Sequence, residues 1–352
     1  MPTIGRSGVV VSSVIFGCGD NAGLMVAGDE QQQTQVIAQA IEAGITTFDT
    51  AAKYGDGASE EALGRVLHKL RPADVTVASK VSVQADAADP GGVLRACEQS
   101  LRRLGRDHID LYQVHNRIAP SGVRIALDGR LPTLALDDFS MPGGVGDQLR
   151  ELRDSGKVRA IGVTTYGGAS AEIRRVIDLG LLDAINASFH LLNPTVARAG
   201  GPDWDAYDYE GVGAFAQTRG LAVLGIRPLA GGYLSARSGD GTSPPPGARV
   251  PDNDVQWTPA VTALLDDWCG SKGCRIPELA TAFSLAAETI TSPVIGISEV
   301  AHVSAVAGEL AKNRLTTHDV EAWMEALLST ARAGQEKPTT SEGSSGPMDC
   351  LR

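Results

Sequence analysis

Residues 46–67 read TTFDTAAKYGDGASEEALGRVL. A short β-favouring run, Thr46–Phe48, ends at Asp49. A glycine-punctuated loop carrying Tyr54 follows, and a run with helical spacing starts at Ser59, where a cap and two acidic residues suit a helix N-terminus. Strand, polar group at the strand end, loop, helix is the repeating unit of a parallel α/β protein. The unit recurs downstream: VTVASK ends at Lys80 and IDLYQVH ends at His115.

Eight strands are expected in all, at Val14–Phe16, Thr46–Phe48, Val75–Ala78, Ile109–Gln113, Val158–Val163, Ala184–Phe189, Ala222–Ile226 and Pro293–Ile295. Helical patterns separate them, at Gln33–Ala43, Ser59–Lys69, Val93–Leu104, Gly146–Ser155, Ala169–Leu179 and Val212–Thr218. Pro259–Cys269 and Pro277–Ala287 then precede the last strand, and Ala301–Leu310 follows it. Gly44 and Gly220 end helices by the left-handed route that glycine allows. Eight such units predict the α/β class and a (β/α)8 TIM barrel. A doubly wound sheet is the alternative, but GCGDNAGL after the first strand lacks the GxGxxG turn such sheets usually carry there.

Residues 1–11 are expected to form an N-terminal hairpin turning at Arg6–Gly8 and closing the barrel bottom. Long loops at 116–145, 193–209 and 236–258 are expected on the C-terminal rim, where such barrels keep their chemistry. Residues 1–332 read as one domain and 333–352, rich in Gly, Ser, Thr and Pro, as a disordered tail.

The bulk properties exclude several classes. The chain has 352 residues, a net charge of −11 and a pI near 5.0, which opposes a broad footprint for nucleic acid or an anionic membrane while leaving room for a local basic pocket. No apolar run approaches the roughly 20 residues that span a bilayer. The start MPTIGRSGVVVSSVIFG has no charged leader or cleavage site, so a cytoplasmic location is expected. Five scattered cysteines without a CxxC read as reduced thiols, and no metal site is expected.

Asp49, Tyr54, Lys80 and His115 thus fall at the ends of the second, third and fourth strands. A phenol titrates too high for neutral acid–base work, and an adjacent ammonium would lower it. Lys80 is the expected ammonium, Asp49 its counter-charge and His115 a hydrogen-bond donor to a substrate oxygen. The set suits proton exchange at a carbonyl or alcohol oxygen. It holds no hydride source, so a cofactor is needed.

FDTAAKYGDGASEEALGRVL, VASK, LRRLGRDHIDLYQVH, LRDSGKVRAIGV and RPLAGGYL resemble segments of the aldo-keto reductase superfamily, in order from Arg6 to about Leu310. The resemblance implies a barrel oxidoreductase using NADP or NAD, with its catalytic Asp, Tyr, Lys and His at Asp49, Tyr54, Lys80 and His115. It implies nicotinamide contacts at Thr164, Thr165 and Asn186, where the family commonly has Ser-Asn and Gln. Ile226 takes the place of a stacking aromatic, beside Arg227 as a partner for pyrophosphate. Pro228, Leu229 and Gly231 belong to the loop that wraps the pyrophosphate. Gly296, Ile297 and Ser298 are expected to open a helix whose N-terminus favours an anion. Glu299 and His302 stand where NADPH-preferring members usually place Lys or Arg, which makes NADH more plausible than for a typical member and leaves the preference between the two open.

The substrate is expected to be a small carbonyl or alcohol compound, with an aldose or sugar-like natural product as the leading class. Its pocket walls are expected from Cys18–Asn21, Tyr54, the 116–145 segment, Tyr166, Trp204 and Trp257. Asp20, Asn21 and Asn116 are the candidate polar contacts. Two other readings are a nucleotide-sensing subunit resembling potassium-channel β subunits and a barrel isomerase without net redox. Neither substrate identity nor oligomeric state follows from the sequence.

Overall fold

The computed structural model describes residues 1–83, 89, 91–122, 132–235 and 254–333. The expected tail, apart from Ala333, lies outside them, as do parts of the 116–145 and 236–258 segments. Eight strands close into a parallel barrel in chain order: β1 (Ile15–Gly17), β2 (Thr47–Asp49), β3 (Thr76–Val81), β4 (Ile109–Val114), β5 (Val158–Thr164), β6 (Ala184–Ser188), β7 (Ala222–Ile226) and β8 (Ser292–Gly296), which pairs back to β1. Around it run α1 (Leu24–Ala27), α2 (Glu30–Glu42), α3 (Ala58–Leu70), α4 (Gly92–Leu104), α5 (Leu136–Ser140), α6 (Val145–Asp154), α7 (Ser170–Ile177), α8 (Val212–Thr218), α9 (Pro259–Lys272), α10 (Ile276–Ala286), α11 (Val300–Lys312) and α12 (Thr317–Ala333). Among the described residues no helix is long and apolar enough to cross a membrane.

Side chains alternate across each strand, so every strand serves two cores. Phe16, Phe48, Val77, Tyr112, Ile161, Ile185, Val223 and Ile295 face the helices. Ile15, Ala78, Leu111, Ala160, Ala184, Ala222, Leu224 and Val294 fill the barrel together with Ile4, Val9 and Val11 of the N-terminal hairpin. That hairpin is closed by Ile4 N–H to Val9 O at 2.8 Å and Ser7 N–H to Ile4 O at 3.1 Å. Several inward residues are alanines, which leaves room for Ile4 to plug the floor.

The same alternation carries Asp49, Lys80, Gln113, Thr164, Asn186 and Ile226 to the inward face above this apolar layer, because each stands two residues past an inward neighbour.

Two details differ from expectation. α12 was not foreseen, although Val320, Trp323, Met324, Leu327 and Ala331 are buried at helical spacing. Trp323 anchors it by donating to Leu191 O at 2.8 Å and by packing its ring edge-on to Trp268. Ser59 is not a cap: α3 begins at Ala58 after Gly57, and Ser59 lies inside its first turn. Gly64 sits in α3 because a Cβ there would meet the carbonyl oxygens of Arg103 and Leu104 at 2.7 Å, so the glycine permits the close approach of α4.

Candidate active site

Four elements converge at the C-terminal ends of β2, β3 and β4. Lys80 Nζ lies 2.6 Å from Asp49 Oδ2, donates to Thr50 O at 2.8 Å and reaches the Tyr54 hydroxyl at 3.3 Å. Asp49 and Lys80 are only 3% and 1% exposed, whereas Tyr54 and His115 are partly open. The Tyr54 and His115 rings meet edge to face, 5.6 Å between centroids.

Tyr54 is presented by a tight 3-10 turn, Tyr54–Gly57, that runs directly into α3. Gly55 takes φ +57°, and a Cβ there would lie 2.7 Å from Val26 Cγ1, so only glycine fits. Asp20 Oδ1 accepts from Gly55 N–H at 3.0 Å and fixes the turn from the β1 side. The first turn of α3 then stitches the strand ends together. Ser59 bonds Thr50 Oγ1 and Cys18 O, while the buried Glu60 accepts from Ser79 at 2.5 Å and Arg103 at 2.7 Å. Ser59 and Glu60, which read as helix-start residues, thus form a clamp on the ends of β1, β2 and β3.

Burial pulls the Lys80 ammonium down, but Asp49 and then Tyr54 more than offset it and hold it up at about 12. Burial raises Asp49 against the opposing pull of Lys80. With a cation 2.6 Å away we read the two as an ion pair. The expected acidic phenol is not found: burial raises Tyr54 above 10.0, and Lys80 lowers it only in part. Desolvation of a phenolate outweighs one ammonium already shared with a carboxylate. His115 is pushed down to about 3 by burial and by the charges of Lys80, Lys53 and Arg227, so it is neutral.

On the far side of the rim, Thr164 at the end of β5 and Asn186 in the middle of β6 are cross-strand partners, and Thr165 donates to Asn186 O through both N–H and hydroxyl. Asn186 Oδ1 is buried without a partner. Ile226 closes β7. Arg227 has φ +59°, and its guanidinium lies 3.8 Å from the Tyr166 ring centroid and 4.0 Å from Asp254. The ring and the buried carboxylate flank the side chain that the sequence assigns to the pyrophosphate. Pro228 and Leu229 lead into a left-handed turn at Ala230 and Gly231. The anion-favouring helix start is displaced: Gly296 ends β8, Ile297 is fully buried, and α11 begins only at Val300 with Glu299 as its cap residue. Ser298 and Glu299 both contact His302, at 3.1 and 3.3 Å, on the exposed rim.

The family model for the aldo/keto reductase family matches residues 13–327. The chain belongs to that family. It is 27% identical over 344 residues to L-galactose dehydrogenase of Arabidopsis thaliana, covering 92% of this chain and 94% of the relative. It is also 27% identical to the NADH-specific methylglyoxal reductase of Escherichia coli strain K12, covering 76% and 79% of the two chains. An aldo-keto reductase structure from Klebsiella pneumoniae in complex with NADPH superposes with a TM-score of 0.65 at 21% identity, covering 93% of this chain and 95% of that one.

This aldo/keto reductase also holds groups that sequence reading overlooked. Gln113 is the register partner of Lys80 and donates to Asp49 Oδ1 at 3.3 Å. Its signal was an amide at an inward position of IDLYQVH. Asp254 was unremarkable in sequence, yet it is buried and accepts from Ser188 at 3.0 Å and Tyr209 at 2.8 Å. No local pattern identifies it, since its partners come from 45 and 66 residues away. Among the polar residues expected to meet substrate, Asn116 is fully engaged with Val83 and Pro132, and Asp20 with Gly55. Asn116 is therefore a tie between β3 and the following segment, with no free group for a sugar hydroxyl.

Proposed function

We propose that this aldo/keto reductase is a nicotinamide-dependent oxidoreductase that interconverts a carbonyl and an alcohol on an aldose or sugar-like substrate. The observation that carries the reading is the chain from Asp49 through Lys80 to Tyr54, at 2.6 and 3.3 Å, beside a neutral His115. The substrate class is supported by the likeness to the Arabidopsis relative, L-galactose dehydrogenase.

The residues fit a nicotinamide cofactor. The buried orphan Asn186 Oδ1 is an acceptor suited to a carboxamide N–H, with Thr164 and Thr165 beside it. The turn through Ala230 and Gly231 offers backbone for a diphosphate, and Ser298, Glu299 and His302 line the rim expected for the adenosine ribose. When bound, the nicotinamide supplies or takes the hydride at the carbonyl carbon. The structural neighbour from Klebsiella pneumoniae holds NADPH, and the Escherichia coli relative is NADH-specific. Glu299 favours NAD here, because its carboxylate repels a 2′-phosphate and accepts a ribose hydroxyl.

The protein's own residues handle the proton. Lys80 donates to the Tyr54 oxygen, which leaves the phenol proton free for a substrate oxygen. A phenol raised by burial keeps that proton until a developing alkoxide takes it. The phenolate so formed lies 3.3 Å from an ammonium that Asp49 keeps charged. His115, neutral, donates from one ring nitrogen and orients the same oxygen.

Tyr54→Phe tests the reading. Turnover with aldehydes or aldoses should fall by about 1,000-fold or more, in line with removal of a general acid. Cofactor affinity, measured by fluorescence titration, should change little. Near-native turnover in the variant would remove Tyr54 from this role.

A further inference from the structure

Two arginines stand around one ring at the mouth of the site. Arg227 Cζ is 3.8 Å and Arg117 Cζ 5.7 Å from the Tyr166 ring centroid. Arg117 Nη1, Arg227 Nη1 and the Tyr166 hydroxyl are all buried and lack a hydrogen-bond partner among the described residues. Orphan donors of this kind are costly, and charged ones most of all. Among the described residues, the only acid in ion-pair range of either guanidinium is Asp254, and its 4.0 Å approach to Arg227 is too long for a hydrogen bond. Asp254 is already engaged by Ser188 and Tyr209. Asp254 thus flanks Arg227 alone, and among the described residues neither guanidinium has a committed counter-charge, which leaves the place of a negative charge open. His115 senses the excess, being depressed by Lys80, Lys53 and Arg227 after burial itself. The local sign is opposite to the net charge of −11.

We propose that Arg117 and Arg227, set around Tyr166, bind a carboxylate on the substrate, so that the enzyme prefers the acid form of a sugar-like molecule, a uronate or aldonate. This rests on the reading that the carbonyl reacts at Tyr54 and His115. The cofactor diphosphate is the competing anion. It does not account for Arg117, which follows β4 two residues after His115, whereas every residue assigned to the cofactor lies at or beyond the end of β5. A planar guanidinium paired with a carboxylate gives the directional contact that a neutral hydroxymethyl group lacks.

Calorimetry on the cofactor-free protein with galacturonate and galactose tests the site directly. Galacturonate should bind roughly tenfold to a hundredfold more tightly, the range of one or two charge-assisted hydrogen bonds. Arg117→Met should remove most of that preference, and Arg117→Lys should restore part of it. Equal binding of the two sugars by the wild type would overturn the proposal. So would a preference that survives Arg117→Met, which would place the carboxylate at Lys80 instead. Turnover is scored separately: if neither sugar is oxidised or reduced while the calorimetric preference holds, the redox reading fails and the carboxylate site stands.

Discussion

Replacing Lys80 with methionine isolates the ion pair under the phenol. Asp49 and Lys80 are 3% and 1% exposed and 2.6 Å apart. Removing the ammonium leaves a buried carboxylate with one remaining donor, Gln113 at 3.3 Å. Breaking such a pair from one side costs about 3–5 kcal/mol. For a domain of this size that corresponds to a melting temperature lower by roughly 4–7 °C. The loss should depend on pH with a defined sign. Burial raises the folded-state pKa of Asp49, and the variant lacks the opposing cation. A raised carboxylate contributes stability below its unfolded pKa and loses it as pH rises through the folded value. The variant should therefore be less destabilised at pH 5 than at pH 8. Asp49→Asn combined with Lys80→Met removes both charges and should recover most of the stability, although not activity. Urea denaturation of wild type, both single variants and the double variant at the two pH values measures the cycle. A double variant no more stable than Lys80→Met alone, or a Lys80→Met loss below about 1 kcal/mol, would refute the coupling argued here.

Other outcomes follow from the same geometry. Gly55→Ala forces a side chain into φ +57° and against Val26, so it should destabilise by about 1–3 kcal/mol and lower kcat by displacing Tyr54; differential scanning calorimetry with steady-state kinetics would detect both. Because burial raises Tyr54 above the ordinary phenol range, reduction should hold steady through neutral and mildly alkaline pH and fall only beyond that range, where the phenol loses the proton it donates. With His115 depressed to about 3, no break in kcat/KM should appear between pH 6 and 7 from this group; a pH–rate profile checks both statements. Glu299→Lys should shift catalytic efficiency toward NADPH over NADH, by roughly tenfold for reversing one charge on an exposed rim. An unchanged cofactor ratio would remove Glu299 as a determinant.

The sequence by itself determined the barrel and the catalytic candidates, for a local reason. Strand ends, glycine turns and helical spacing are written within a few residues of one another, so Asp49, Tyr54, Lys80 and His115 announce themselves inside their own strand-to-helix units. The inward placement of Gln113 was legible too, by counting two from Leu111, and was overlooked. Only the tertiary structure decided the rest. Ser59 and Glu60 look like helix-start chemistry in sequence, yet they become a buried clamp because α3 packs down over the ends of β1, β2 and β3. Asp254 finds Ser188 and Tyr209 across 66 and 45 residues. The pKa of Tyr54 reversed its expected direction because desolvation depends on what surrounds the ring, and no spacing along a chain reports that. Arg117 and Arg227 lie 110 positions apart and meet at one aromatic ring only because a closed barrel brings the ends of β4, β5 and β7 to the same rim.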